Sequence, residues 1–184
     1  MNGEQLDRAK KTLNEKYQID FSKKVLLGVA SVWTREKGFD DFIKMADMKL
    51  KDIQFVMVGI NKKQKELLPS GIIGIERTEN QKELSYLYAS ADVFLNPTYA
   101  DTFPTVNMEA ISCGTPVVTY NTCGSPENVP EGCGAVVEKG NYKELVFKAL
   151  ELKKNQEILS MSSAFDKGIF SSKYYEIYKK MVRK

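Results

Sequence analysis

DVFLNPTYADTFPTVNMEAISCGTPVVTY, residues 92–120, is the stretch on which the fold turns. It opens on an apolar run, DVFLNP (92–97), and closes on another, TPVVTY (115–120). Between them EAISCG predicts a short helix stopping at Gly114, because glycine tolerates the left-handed backbone that ends helices. Strand, loop, helix and strand in this order imply a right-handed crossover between parallel strands. In an open α/β sheet, ligands bind at the carboxyl ends of the strands. Asp101 and Glu109 stand at such an end, one at the start of the helix and one inside it.

The same alternation runs outward in both directions. KKVLLGVAS (23–31) and DIQFVMVG (52–59) are near-continuous apolar runs, as expected of strands buried on both faces. GIIGIE (71–76) predicts a third strand, and VPEGCGAVVEKG (129–140) holds a last short one. Helical spacing fills the gaps: FDDFIKMADMKL (39–50), the polar NKKQKELL (61–68), ENQKELSYLYASA (79–91) and NYKELVFKALELKK (141–154). The expected fold class is α/β, a Rossmann-like parallel sheet with helices on both faces. No repeat or Pro/Gly/Ser-rich linker divides residues 1–184, so one domain is expected. Leu6, Ala9, Leu13 and Tyr17 form an apolar stripe near the N-terminus; Tyr174, Ile177, Tyr178 and Met181 form another near the C-terminus. The second stripe either packs on the body of the domain or docks on a partner domain outside this chain.

Bulk composition excludes several classes of function. With 42% hydrophobic and 28% charged residues, the chain reads as globular rather than disordered. A net charge of +3 is too small to argue for nucleic acid. No apolar run approaches the roughly 20 residues of a membrane-spanning helix. The first residues, MNGEQLDRAKKTLNEKY, are charged throughout and unlike a signal peptide. The expected location is therefore the cytoplasm. Cys113, Cys123 and Cys133 are odd in number and lack CxxC spacing, which argues against a disulfide framework or zinc site and for small fillers. Histidine is absent. Proton transfer, if any, falls to a carboxylate or to another domain.

Four loops carry candidate chemistry. In DTFPTVNME (101–109), Pro104 suits a first helical position. The amides of Phe103, Thr105 and Val106 would then lie at a helix N-terminus, where backbone N–H groups and the dipole favour anions. Glu109 sits just over one turn in. A carboxylate there repels phosphate but accepts hydrogen bonds from sugar hydroxyls, and Asp101 can do the same for a second sugar. Helix capping by Asp101, with Glu109 simply solvated or paired, is equally open at this point. SVWTREKGF (31–39) follows the first strand and offers Arg35 and Lys37 just before Gly38, groups able to neutralise a diphosphate. Trp33 reads as a packing anchor. In NTCGSPENVPEG (121–132), Gly124 permits close backbone approach. IERTENQKEL (75–84) places Arg77 and Thr78 where they either lie along a nucleobase or form a solvated loop.

In combination, REKGFDDFI, the block LYASADVFLNPTYADTFPTVNMEAISCGTPVVTYNTCGSPENV and the closing SSKYYEIYKKM resemble the C-terminal, donor-binding domain of the retaining glycosyltransferases of family 4. The resemblance runs from about residue 23 to the C-terminus. It is nearest to bacterial enzymes that build capsular or other surface polysaccharides. It implies one half of a two-domain GT-B fold and a nucleotide-diphosphate sugar, UDP- or GDP-linked, as substrate, with no bound metal or other cofactor. It implies catalytic roles for Lys37, on the diphosphate, and Asp101, on donor-sugar hydroxyls, where glutamate is the commoner residue. Donor-binding roles follow for Phe103, Thr105 and Val106 (amides), Glu109 (ribose), Gly124 and Arg77. The family's usual phosphate arginine is replaced by Ser31, which leaves Arg35 to substitute. The acceptor-binding domain lies outside this chain. The resemblance therefore implies a parent about twice as long, with possible contact with the inner face of the membrane through it, and little transfer by this chain alone.

Overall fold

A computed structural model describes residues 2–161 together with 168, 171, 172, 175, 178 and 179. Over residues 2–161 the elements follow in order: α1 (Gly3–Tyr17), β1 (Lys24–Val29), α2 (Phe39–Asp47), β2 (Ile53–Val58), α3 (Lys62–Glu66), β3 (Ile72–Ile75), α4 (Gln81–Ser90), β4 (Val93–Asn96), α5 (Thr105–Ser112), β5 (Val117–Tyr120), a 3-10 turn (Pro126–Asn128), β6 (Gly134–Val137), α6 (Tyr142–Glu151) and α7 (Gln156–Met161). The six strands form one sheet in the order β3-β2-β1-β4-β5-β6, with every adjacent pair parallel.

Successive strand residues point to opposite faces, so an apolar run fills two cores at once. Leu26, Phe55, Met57, Val93, Leu95, Val118 and Tyr120 pack with Phe42 and Met45 of α2 and with Leu145, Val146 and Ala149 of α6. Their neighbours Val25, Leu27, Val56, Val58, Phe94 and Val117 face Leu13 of α1, Leu87 and Tyr88 of α4, and Ala110 and Ile111 of α5. Each buried Leu, Val or Phe contributes about 1.5–3 kcal/mol. α1 is held at its start by a reciprocal cap between Asn2 and Gln5 and stops at Gln18, which is left-handed. It docks on α4 through Tyr17, whose hydroxyl donates to Glu83 at 3.0 Å.

One buried carboxylate ties the first core together. Asp41 of α2 is 1% exposed. It accepts from the hydroxyls of Tyr99 and Tyr120, each at 2.8 Å, and from Lys44 at 2.9 Å. These three donors offset the cost of burying a charge.

Several boundaries depart from the sequence reading. The expected helix over 141–154 ends at Glu151, and α7 begins separately at Gln156. Residue 152 is extended, which breaks the helical hydrogen bonding. The 61–68 segment narrows to α3. Pro104 is the N-cap of α5 rather than its first helical residue. Of the cysteines, Cys133 is a buried filler and Cys113 half-buried, but Cys123 is exposed. Of the C-terminal stripe, Tyr174, Ile177 and Met181 lie outside the described residues, and Tyr178 is exposed. No helix among the described residues is long and apolar enough to cross a membrane.

Candidate functional site

Strand order steps one way from β1 to β3 and the other way from β1 through β4 to β6. Between β1 and β4 the following loops diverge and leave a crevice, the usual ligand position of such sheets. The loop after β1 is pinned to the loop after β4. Tyr99 N–H donates to the Glu36 carbonyl at 2.7 Å, and the Thr98 hydroxyl reaches the same oxygen at 3.4 Å. Gly38, with φ of 80°, closes the first loop. A Cβ there would lie 2.3 Å from the Pro97 carbonyl oxygen, so only glycine permits this approach.

This pinning brings Lys37 to Asp101. Lys37 Nζ lies 2.6 Å from Asp101 Oδ2, with the two side chains 38% and 20% exposed. Asp101 Oδ1 accepts from the Phe103 amide at 3.2 Å. Asp101 therefore does not cap α5; it makes a local turn and an ion pair. Both face a cavity of about 210 Å³, lined also by Ser31, Asn96, Thr105 and Val106. Pro104 gives α5 no side-chain cap, so the positive end of the helix opens on this cavity. Trp33 borders it as well, but its ring is 4% exposed, packs edge-on against Phe42 at 5.1 Å and donates to the Val58 carbonyl at 2.8 Å.

Gly124 sets the back of the 101–103 loop. Its amide donates to the Asp101 carbonyl at 3.2 Å, and a Cβ on it would stand 1.7 Å from the Thr102 carbonyl oxygen. Beneath lies a buried polar network that sequence reasoning missed. Asn96 donates to Asn107 at 2.8 Å, Asn107 donates to Asn128 at 2.9 Å, and Asn128 donates to the Pro104 carbonyl at 2.7 Å. Thr119 and Ser125 share a hydroxyl contact of 2.6 Å beside it. The chain of amides runs from β4 through α5 to the 3-10 turn and fixes the N-cap of α5. An asparagine inside a short, otherwise mostly apolar helix was the available signal.

Glu109 lies on the next turn of α5 and is exposed, yet it accepts from the Tyr88 hydroxyl at 2.9 Å. It borders a second cavity, of about 540 Å³, with Gln81, Leu84, Ser85 and Tyr88. Thr105 lines both cavities. Burial, then the adjacent Glu109 charge, pushes the Tyr88 phenol far above its usual range, so it remains a donor. Asp101 and Glu109 thus face adjoining spaces rather than one.

Two sequence candidates stand apart. The Arg35 side chain is 93% exposed, 3.9 Å from Asp40, and borders a different pocket with Glu36, Asp41 and Lys44. Arg77 is exposed on the loop after β3 and lines neither cavity. Ser31 does line the first cavity.

Residues 23–155 match the family of glycosyl transferases group 1. This chain belongs to that family. Among curated relatives, the capsular polysaccharide biosynthesis glycosyltransferase CapM of Staphylococcus aureus is 26% identical over 158 residues, 80% of this chain and 41% of CapM. The lipopolysaccharide glucosyltransferase WaaG of Escherichia coli is 28% identical over 171 residues, 88% of this chain and 45% of WaaG. The chain thus spans less than half the length of these relatives. Among solved structures, HepE of Anabaena in complex with UDP superposes with a TM-score of 0.79 at 17% identity, over 98% of this chain and 54% of HepE. A glycosyltransferase from Rickettsia africae gives a TM-score of 0.77 at 19% identity, over 99% of this chain and 53% of the other. The fold is one Rossmann-like half of the GT-B architecture.

Proposed function

We propose that this chain is the donor-binding half of a retaining glycosyltransferase of polysaccharide or glycolipid biosynthesis, and that it holds a nucleotide-diphosphate sugar across the two adjoining cavities. The observation that carries this reading is the convergence of Lys37 and the uncapped start of α5 on one cavity at the sheet's switch point. Lys37 and the amides of Thr105 and Val106 place positive potential where a leaving diphosphate gains charge, an electrostatic contribution to bond cleavage. Asp101, one bond from that ammonium, is positioned for hydroxyls of the donor sugar. Glu109, across Thr105, is positioned for the ribose. The sugar then passes to an acceptor bound by a second domain, and this chain alone shows little transfer. The relatives' roles in capsule and lipopolysaccharide synthesis support the proposed pathway class.

Calorimetric titration of UDP, GDP and ADP into the chain tests the reading. Binding of at least one is expected, weakened about tenfold or more by Glu109→Ala, the loss anticipated for a hydrogen bond to a charged group. Absence of binding by all three at millimolar concentration would overturn it.

A further inference from the structure

Glu109 is an exposed carboxylate on a helix surface, a setting in which glutamate usually samples many rotamers. Here one oxygen is fixed from below. Tyr88 is 2% exposed, its ring meets Phe94 edge-on at 5.5 Å, and it belongs to the core between α4, α5 and the sheet. Its main chain is held too: the Thr115 hydroxyl donates to the Tyr88 carbonyl. Tyr88 borders the second cavity, and its phenol donates to Glu109 Oε2 at 2.9 Å. No other described group donates to the Glu109 carboxylate. Its second oxygen, Oε1, remains free to accept beside Gln81, Ser85 and Thr105.

We propose that Tyr88 is a positioning residue that anchors Glu109 to the core, so that Glu109 selects ligands bearing a ribose diol over their 2′-deoxy counterparts. The inference rests on the donor-site reading above. A carboxylate held by one oxygen and offering the other meets adjacent hydroxyls without first losing rotamer freedom, which strengthens each bond made. A site built to accept from hydroxyl donors discriminates against a ligand lacking one, because the bound ligand itself covers the acceptor and leaves it unpaired. Burial keeps Tyr88 neutral, so the anchor holds across the physiological range.

The test compares UDP with 2′-deoxyUDP, and GDP with 2′-deoxyGDP, on the 184-residue chain. The wild type is expected to favour the ribonucleotide by about tenfold or more. Tyr88→Phe removes one oxygen and keeps the ring, and it should cut that ratio several-fold with thermal unfolding little changed. In a Glu109→Ala background, Tyr88→Phe should have no further effect on the ratio, which a purely structural tyrosine would not predict. Should Tyr88→Phe fold poorly, Glu109→Gln on the exposed surface gives the second reading and should likewise lose discrimination. An unchanged ratio in Tyr88→Phe, or a wild type that binds both sugars equally, overturns the proposal. Failure of the wild type to bind any nucleotide overturns the donor-site reading instead.

Discussion

Lys37 has two neighbours competing for its charge: Asp101, held at 2.6 Å, and whatever anion enters the cavity they share. Because both side chains are partly exposed, the pair itself adds little to stability, roughly 0–1 kcal/mol. The Lys37→Ala change is therefore expected to leave denaturant unfolding within about 1 kcal/mol of wild type. The same change should weaken nucleoside diphosphate binding by about tenfold or more, since charge-assisted bonds contribute about 1.5–3 kcal/mol. Isothermal titration alongside urea unfolding separates the two effects. A large stability loss with unchanged affinity would assign Lys37 to the fold and not to the ligand. Arg35 offers a contrast from the same loop. Its exposure and its turn toward Asp40 predict that Arg35→Ala changes affinity far less.

Elements decide where those residues meet, and some of that was legible beforehand. Alternating apolar runs and helical stripes gave the order of strands and helices, because burial on both sheet faces leaves a strong pattern. The place of the 101–109 segment, between a strand end and a helix start, was legible because an apolar run, a proline and a helical pattern fall together. The Lys37–Asp101 contact was not, since 64 residues of sequence and two loop conformations separate its partners. Nor was Asp41, whose burial depends on tyrosines from two distant segments. The amide chain through Asn96, Asn107 and Asn128 likewise needs three elements in place before it makes sense. Gly124 joins two of these elements by backbone contact. Gly124→Ala would force the 101–103 loop from the 121–125 turn, at a cost of about 1–3 kcal/mol for overpacking. Both the urea midpoint and nucleotide affinity should fall together in that variant; an affinity drop with unchanged stability would show that the loop yields without strain.

At the scale of the whole chain, three tyrosines make the fold sensitive to alkali. Burial, assisted by Asp41, pushes Tyr99 up to about 12, and raises Tyr120 further; burial and Glu109 raise Tyr88. Unfolded tyrosine titrates near 10. Below that value both states keep the proton and the contribution is complete. Above it the unfolded chain releases protons first, so stability falls as pH climbs from about 10 toward the folded values. Urea midpoints measured from about pH 8 to about pH 11 should decline at the upper end, and less so in Tyr120→Phe. Equal declines in the wild type and Tyr120→Phe would mean that the Tyr120 phenol is not held as described; the comparison is needed because Lys154, lowered to about 8 by desolvation, adds an opposing rise to both profiles. Charge on a larger scale has its own consequence. The chain carries only +3 overall, and its cavity lysine already sits against Asp101. The anionic ligand proposed above would therefore feel little pull from a distance, and association should depend weakly on ionic strength. Recognition is decided at contact, by exchange of one counter-ion for another. On the function proposed above, a singly charged anion would gain nothing in that exchange; a diphosphate would, and Asp101, once released, would be free for the sugar that comes with it.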